Sequence, residues 1–335
     1  MRPGPGSAAR GLVTLPAALT PAGSPPSPAI GAATTAAVLV VHGTVGELQP
    51  ALAALTALLA RVVLVDNNEA PSAELARQAS AVGGVELLHQ GNRGGLAGAY
   101  NRALRHLQEA VDAAALTPPR QIVFVDQDSD PAVLGAFLAD PEVRALLARD
   151  DVAAVAPAYR DRATALRARY VELGHWRLQH LPREFSGLRQ VAFVVNSMSV
   201  WRSAALAQLG DFDEQLAIDH VDTEHCLRAR QQGLSIWVHG NHVFAHAIGQ
   251  RRRYRLLGRE LQATGHGPAR RRLIGRNTVL LMKRWGWREP ALARLCLLRL
   301  AYEAAGIVLA EDQRACKLAA LLGGSVQGLF ARRRA

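Results

Sequence analysis

Short apolar runs punctuate the first 125 residues: Ala36-Ala37-Val38-Leu39-Val40-Val41, Val62-Val63-Leu64-Val65, Val85-Glu86-Leu87-Leu88 and Ile122-Val123-Phe124-Val125. Between them the apolar positions change period. Leu48, Leu52, Leu55, Leu58 and Leu59 recur at helical spacing, and 73–81 and 96–113 also read as helices. Continuous apolar runs suit strands buried on both faces, and their alternation with helices predicts a parallel sheet covered on both sides. From 152 to 250 the pattern loosens into short strands, expected at 152–156, 192–201 and 235–238. From about 252 the chain reads as basic, amphipathic helices. Residues 1–34 are rich in Pro, Gly, Ala and Ser, lack any period, and read as a disordered leader. The boundaries implied are 1–34 for the leader, 35–250 for the α/β domain and 251–335 for a basic helical region.

Charge adds a partner class. The chain carries 39 Lys and Arg against 28 Asp and Glu, a formal net charge of +11. The excess is clustered: Arg251, Arg252, Arg253, Arg255, Arg259, Arg270, Arg271, Arg272 and Arg276 fall close together, and Arg332, Arg333 and Arg334 lie at the far end. Such clustering implies an anionic partner. With neither zinc-finger spacing nor an aromatic-basic strand motif, nucleic acid is not the expected one. Cys226, Cys296 and Cys316 are far apart and odd in number, and read as reduced, buried thiols of a cytosolic protein. No run approaches the length of a membrane-spanning helix, and the prolines of the first thirty residues argue against a signal peptide.

Polar residues at the ends of the apolar runs carry the candidate chemistry. Asp126-Gln127-Asp128-Ser129 delivers two carboxylates two residues apart, which an extended backbone points the same way. Paired hard oxygens there suit Mg²⁺ or Mn²⁺ holding a diphosphate; the alternative is a solvated turn. Asp66-Asn67-Asn68 closes the second strand and admits a ribose or base contact as well as a plain turn. In Asn92-Arg93-Gly94-Gly95-Leu96-Ala97 the amides of a helix entry can face phosphate, or the glycines can serve a tight turn with close packing. Asp222 reads equally as helix cap or general base. His246, beside apolar neighbours, reads as a core histidine or as a metal ligand. Asp66, Asn92, Asp126 and Asp128 all sit at or just after strand ends, where ligands bind in parallel sheets.

Taken in order, Val65-Asp66-Asn67, Asn92-Arg93-Gly94-Gly95-Leu96-Ala97, Val125-Asp126-Gln127-Asp128-Ser129, Asn196-Ser197, Val221-Asp222-Thr223-Glu224-His225-Cys226-Leu227-Arg228 and His246-Ala247-Ile248-Gly249 resemble the inverting family 2 glycosyltransferases. Within them the Asp-Gln-Asp-Ser form is similar to the bacterial rhamnosyltransferases of O-antigen and cell-wall polysaccharide assembly. The match spans roughly 37–285.

The resemblance implies an α/β GT-A (nucleotide-diphospho-sugar transferase) fold: a mostly parallel, Rossmann-like sheet with helices on both faces, plus C-terminal helices. It implies a metal-dependent, inverting hexosyltransferase using a nucleotide-sugar donor, dTDP-L-rhamnose before a UDP-sugar. The acceptor would be a saccharide or a polyprenyl-diphosphate-linked saccharide. Asp128, His246 and Asp126 would hold Mg²⁺ or Mn²⁺; Asp66, Asn67, Asn92, Gly94, Gly95 and Asp126 would bind the donor nucleotide; Asp222 would be the base. The stretch Arg270-Arg271-Arg272 and Arg276-Asn277 is similar to the family's Arg-Asn segment opening the C-terminal helices. The first strand departs from the family in ending at His42-Gly43-Thr44, and His220 and His225 stand where acceptor-loop aromatics are common. A cytoplasmic location, peripheral on the inner face of the membrane through the basic region, is expected; a homo-oligomer is compatible. A nucleotidyltransferase would want a basic Gly-rich loop after the first strand, which His42-Gly43-Thr44 does not supply. A non-catalytic protein binding anionic ligands is the remaining rival.

Overall fold

The computed structural model describes residues 34–113, 117–246, 252–256 and 259–331. The expected leader falls almost wholly outside these residues, as do Ala247-Ile248-Gly249, Arg251 and Arg332, Arg333 and Arg334.

The strands β1 (Thr35–Val41), β2 (Arg61–Asp66), β3 (Val85–His89) and β4 (Gln121–Asp126) pair in parallel in the order β3-β2-β1-β4. Every residue of β1 and β2 is buried, which is why these runs show no polar alternation. Side chains nonetheless divide by the pleat. Val38, Val40, Val65 and Phe124 face Tyr100 and Leu107 of α3 (Gly95–Asp112). Leu39, Val41, Leu64 and Val125 face Leu52 and Leu55 of α1 (Gln49–Leu58) and Leu75 of α2 (Ala73–Val82). Leu134 and Phe137 of α4 (Ala132–Ala139) join this second layer, followed by α5 (Pro141–Leu147). Interior strands thus end on one edge with helices on both faces.

Beyond α5 the chain forms β5 (Val152–Asp161), β6 (Val171–Leu173), β7 (Leu178–His180), β8 (Leu188–Val191), β9 (Val200–Arg202) and β10 (Ser235–His246), with α6 (Ser203–Leu209) and α7 (Val221–Gln231) between β9 and β10. The main sheet runs β3-β2-β1-β4-β9-β5-β10-β8, with β9 and β8 antiparallel to their neighbours. The sheet is therefore mostly parallel, as expected. The strand expected over 192–201 is corrected to β9 alone. Residues before it cross the end of β4: Met198 N–H donates to Phe124 O (2.7 Å) and Ser199 N–H turns back to Asn196 O (2.8 Å). β10 is longer than expected. A register shift between His239 and Val243 interrupts its pairing with β5, and the strand then continues to His246.

The basic region is not helical from 252. A hairpin, β11 (Arg252–Leu256) and β12 (Arg259–Ala263), comes first. The alternation Arg253-Tyr254-Arg255-Leu256 has the strand period, which the dense positive charge obscures. The helices α8 (Pro268–Trp285), α9 (Pro290–Ala310) and α10 (Arg314–Phe330) follow. α10 packs on α8 through Gly324, where an added Cβ would lie 2.0 Å from Arg272 O. Fully buried Arg271 pairs with Glu303 and Glu311 beneath these helices, and Lys317 reaches Glu311 at 3.0 Å. Of the three cysteines, none is paired; Cys226 and Cys296 are buried as expected, whereas Cys316 is exposed.

Candidate active site

The strand ends open onto one cleft of about 1300 Å³. That is larger than the ~300–1000 Å³ of an ordinary small-molecule pocket, and leaves room for two reactants. Asn67, Asn92, Gly94, Gly95, Asp126, Asp128, Asp222 and His246 all line it; Asp66 does not. The loops after β1, β2 and β4 are tied together along one wall. Gln127 Oε1 accepts from His42 N–H (2.8 Å), His42 Nδ1 lies 2.9 Å from Asn67 O, and Gly43 N–H donates to Asn68 Oδ1 (2.7 Å).

Asp126 and Asp128 leave the end of β4 and meet His246 from the end of β10. Ligand atoms of the three lie within 4.8 Å of one another. His246 Nδ1 is 3.9 Å from Asp128 Oδ1 and 3.4 Å from Ser129 Oγ, which is itself hydrogen-bonded to Ser197 Oγ (2.6 Å). Burial, then the neighbouring charges of Asp128 and Asp222, push the Asp126 carboxyl up to about 7, although a bond from Ser197 works the other way. Crowded carboxylates beside an imidazole, with unrelieved negative charge, fit a hard divalent cation. The residues that could hold a metal are therefore present.

Asp222 is the second residue of α7, not its cap. His220 occupies the cap position in the left-handed conformation, at φ 61°. Asp222 Oδ1 accepts from Thr223 N–H (2.8 Å), and burial is the main cause raising its carboxyl above the usual range. A carboxylate with a raised pKa, open to a cleft, suits proton abstraction. Next to it Asp219 pairs with Arg270 (2.8 Å) and, at 3.8 Å, with Arg299.

Several expected site residues have other work. Asp66 is 2% exposed, and its two oxygens accept from Asn68 N–H (3.1 Å), Asn68 Nδ2 (2.8 Å) and Ser72 N–H (2.6 Å). Its carboxylate builds the turn rather than facing the cleft. The helix entry at Gly94-Gly95 does not offer its amides to an anion: Leu96 N–H donates to Ala217 O at 2.6 Å, and Ala97 N–H to the same oxygen at 3.4 Å. The glycines instead let another loop approach, since a Cβ on Gly95 would lie 2.5 Å from Ala217 O. His225 does not face the acceptor side. It is fully buried and stacks on Phe212 with ring centroids 3.9 Å apart. His220, by contrast, lines the cleft although it is largely buried, with its Nε2 2.9 Å from Thr278 Oγ1.

Sequence reasoning missed Tyr100, which lines the cleft from the buried face of α3 beside Asp126. A tyrosine among Ala97, Ala99 and Ala103 on an apolar helix face was the available signal. It also missed Asp140, His239 and His242, a second His-carboxylate group outside the cleft, with His242 Nε2 2.8 Å from Asp140 Oδ2. There Asn241 N–H donates to His239 Nδ1 (3.2 Å), so the neutral ring carries its proton on Nε2, facing Asp140 and Glu142. That nitrogen has no lone pair for an ion, and the group reads as a polar tie between α5 and β10.

An open, mostly parallel sheet with a carboxylate-lined cleft across its strand ends defines the class: an α/β protein whose candidate site lies where ligands bind in such sheets. No family model matches the chain. Over 263 residues, 73% of this chain and 80% of the other, it is 24% identical to dTDP-rhamnosyl transferase RfbF of Shigella flexneri. This similarity supports a glycosyltransferase. Among solved structures the chain is similar to 4-diphosphocytidyl-2C-methyl-D-erythritol synthase at 9% identity, covering 60% of this chain and 86% of that one with a TM-score of 0.36. A likeness at that level bears on neither fold nor activity.

Proposed function

We propose that the protein is a metal-dependent, inverting glycosyltransferase that moves L-rhamnose from dTDP-L-rhamnose to a saccharide acceptor in cell-surface polysaccharide synthesis. The observation that carries this reading is the convergence of Asp126, Asp128 and His246 in one cleft that Asp222 also lines. The similarity to a dTDP-rhamnosyl transferase supports the donor. The donor diphosphate lies at the strand ends between Asn67, Asn92 and the β4 carboxylates. Mg²⁺ or Mn²⁺ held by Asp128, His246 and Asp126 would supply Lewis-acid neutralisation of the departing diphosphate, a contribution of several kcal/mol. Asp222 accepts the proton of the acceptor hydroxyl as that oxygen bonds to the anomeric carbon and the bond to the diphosphate breaks. One displacement from the opposite face inverts the centre. Tyr100, buried beside Asp126, keeps water from that side of the metal group.

The acceptor is a polyprenyl-diphosphate-linked saccharide, met at the inner face of the membrane. No helix among the described residues is long and apolar enough to cross a membrane. Yet Leu297 and Leu298 of α9 and Leu322, Val326, Leu329 and Phe330 of α10 stand exposed. Between 290 and 331 the acids are Glu303, Glu311 and Asp312, the first two buried. An apolar, net-basic exterior suits an anionic leaflet, and Arg299 and Tyr302 of α9 reach the cleft.

The test is release of nucleoside diphosphate from dTDP-rhamnose and from a panel of UDP-sugars, with Mg²⁺ or Mn²⁺, with chelator, and beside Asp128→Asn. Metal-dependent release from dTDP-rhamnose, lost in the variant, is expected. Preference for a UDP-sugar sinks the donor assignment; release untouched by chelator and by Asp128→Asn sinks the metal.

A further inference from the structure

The segment 213–220, which leads into Asp222, is conformationally expensive. Ala217, Asp219 and His220 all have positive φ, at 53°, 61° and 61°, a region that L-residues rarely adopt. Such a run persists only where its surroundings impose it. Two helices do so here from opposite sides, by gripping successive carbonyl oxygens. Leu96 N–H at the start of α3 takes Ala217 O (2.6 Å). Asn277 Nδ2 on α8 takes the oxygens on either side, Leu216 O (2.5 Å) and Ile218 O (2.6 Å).

Asn277 is fully buried, and both of its amide hydrogens are committed to this loop. Its own orientation is fixed by the preceding residue. Arg276 Nη1 donates to Asn277 Oδ1 (2.8 Å) and also to Gln215 O (2.7 Å). With the oxygen so held, the amide cannot flip and must present its NH₂ to the loop. Two turns away on either side, Arg270 pairs with Asp219 and Arg284 with Asp213, and Thr278 faces His220.

We propose that Asn277, oriented by Arg276, is a positioning residue: it holds the 213–220 loop in its strained conformation and so sets Asp222 against the donor side of the cleft. The inference rests on the reading of Asp222 as the base. α8 then does more than support α10; it is half of a vice whose other jaw, α3, belongs to the donor wall.

Asn277→Asp tests this without changing size. It replaces two donors by an oxygen facing two carbonyl oxygens, so the grip becomes a repulsion. Asn277→Ala removes the grip without repulsion, and Arg276→Gln, on a half-buried site, is the gentler variant should the others fail to fold. A misplaced base of this kind costs up to about a hundredfold in rate. The expectation is a fall in kcat of tenfold or more in the order Asp, Ala, Gln, with the KM for dTDP-rhamnose and binding of dTDP within about twofold of wild type. Amide hydrogen exchange over 213–222 should quicken in each variant while exchange in β1, β2 and β4 does not. Unchanged exchange in the loop overturns the proposal whatever the activity. Quickened exchange with kcat within twofold of wild type, or with donor binding lost in proportion to kcat, overturns it too. A wild-type protein inactive on every donor is a failure of the base assignment instead, and the exchange measurement then decides the clamp alone.

Discussion

Asp66 ends β2 and Asp126 ends β4, two places apart in one parallel sheet, and their carboxylates have opposite fates. Asp66 is saturated: Asn68 and Ser72 direct three donors at its two oxygens within 3.1 Å. Asp126 receives a bond from Ser197 but faces two further carboxylates, and its pKa is driven up toward neutrality. A strand end puts both groups where a ligand can reach. What separates them is whether the local turn spends the negative charge on its own amides. A saturated carboxylate is architecture, whereas a crowded, under-compensated one has capacity left for a cation or a proton.

The sharpest way to break this comparison is at the cleft's other acid. Asp222→Asn keeps shape and removes basicity. Turnover of donor with acceptor should fall by about 10²–10⁴-fold, with donor binding retained in a titration of dTDP. Retained turnover would make Asp222 architecture like Asp66. The next largest effect lies in stability. In Asp66→Asn the new NH₂ must face donors of its own turn, which leaves a buried group unsatisfied and costs about 1–3 kcal/mol. Urea denaturation should show the loss, with metal affinity unaltered. Equal stability, or weakened metal binding, would place Asp66 with the site after all.

The smallest effect concerns pH. An acid whose folded pKa lies at about 7 against an ordinary 3.8 holds a proton in the native state that the unfolded chain has given up. Between those values the native state binds more protons, so stability falls as pH rises. In chelator, melting should therefore drop between pH 5 and 8. At pH 8 Asp126→Asn should melt higher than wild type by about 2–4 °C, the opposite sign to Asp66→Asn. Mn²⁺ should restore wild type at pH 8 and do less for the variant. A variant that melts lower at pH 8 would show that the carboxylate is not under-compensated.

The sheet was legible because β1, β2 and β4 are buried on both faces and so read as unbroken apolar runs. The grouping of Asp126, Asp128 and His246 was legible because its members fall on strand ends, with Asp126 and Asp128 in phase on one backbone. Hydrogen bonds inside a turn leave no period, and so the sequence does not distinguish Asp66 from Asp126, or the gripped amides at Leu96 and Ala97 from an anion site. His225 looked like a loop residue because its stacking partner Phe212 lies across a turn that periodicity does not describe. The β11–β12 hairpin was hidden by its arginines, whose charge reads as helix surface. Asn277 had only its place beside an arginine to mark it, since its partners are backbone oxygens of a distant loop.

Those partners bear on how the chain assembles. The contacts from Asn277 to the loop span 59 and 61 residues of sequence, and the contact from Leu96 to Ala217 spans a longer stretch still. Such closures carry a loop-entropy cost that neighbouring strands and helices do not. The strands β1, β2 and β3 have partners close by in the chain, Ala36 with Arg61 and Val62 with Val85, and can form while the remainder is still unstructured. The pocket between α3 and α8 has no such option, and it is completed only when the last third of the polypeptide folds back over the first.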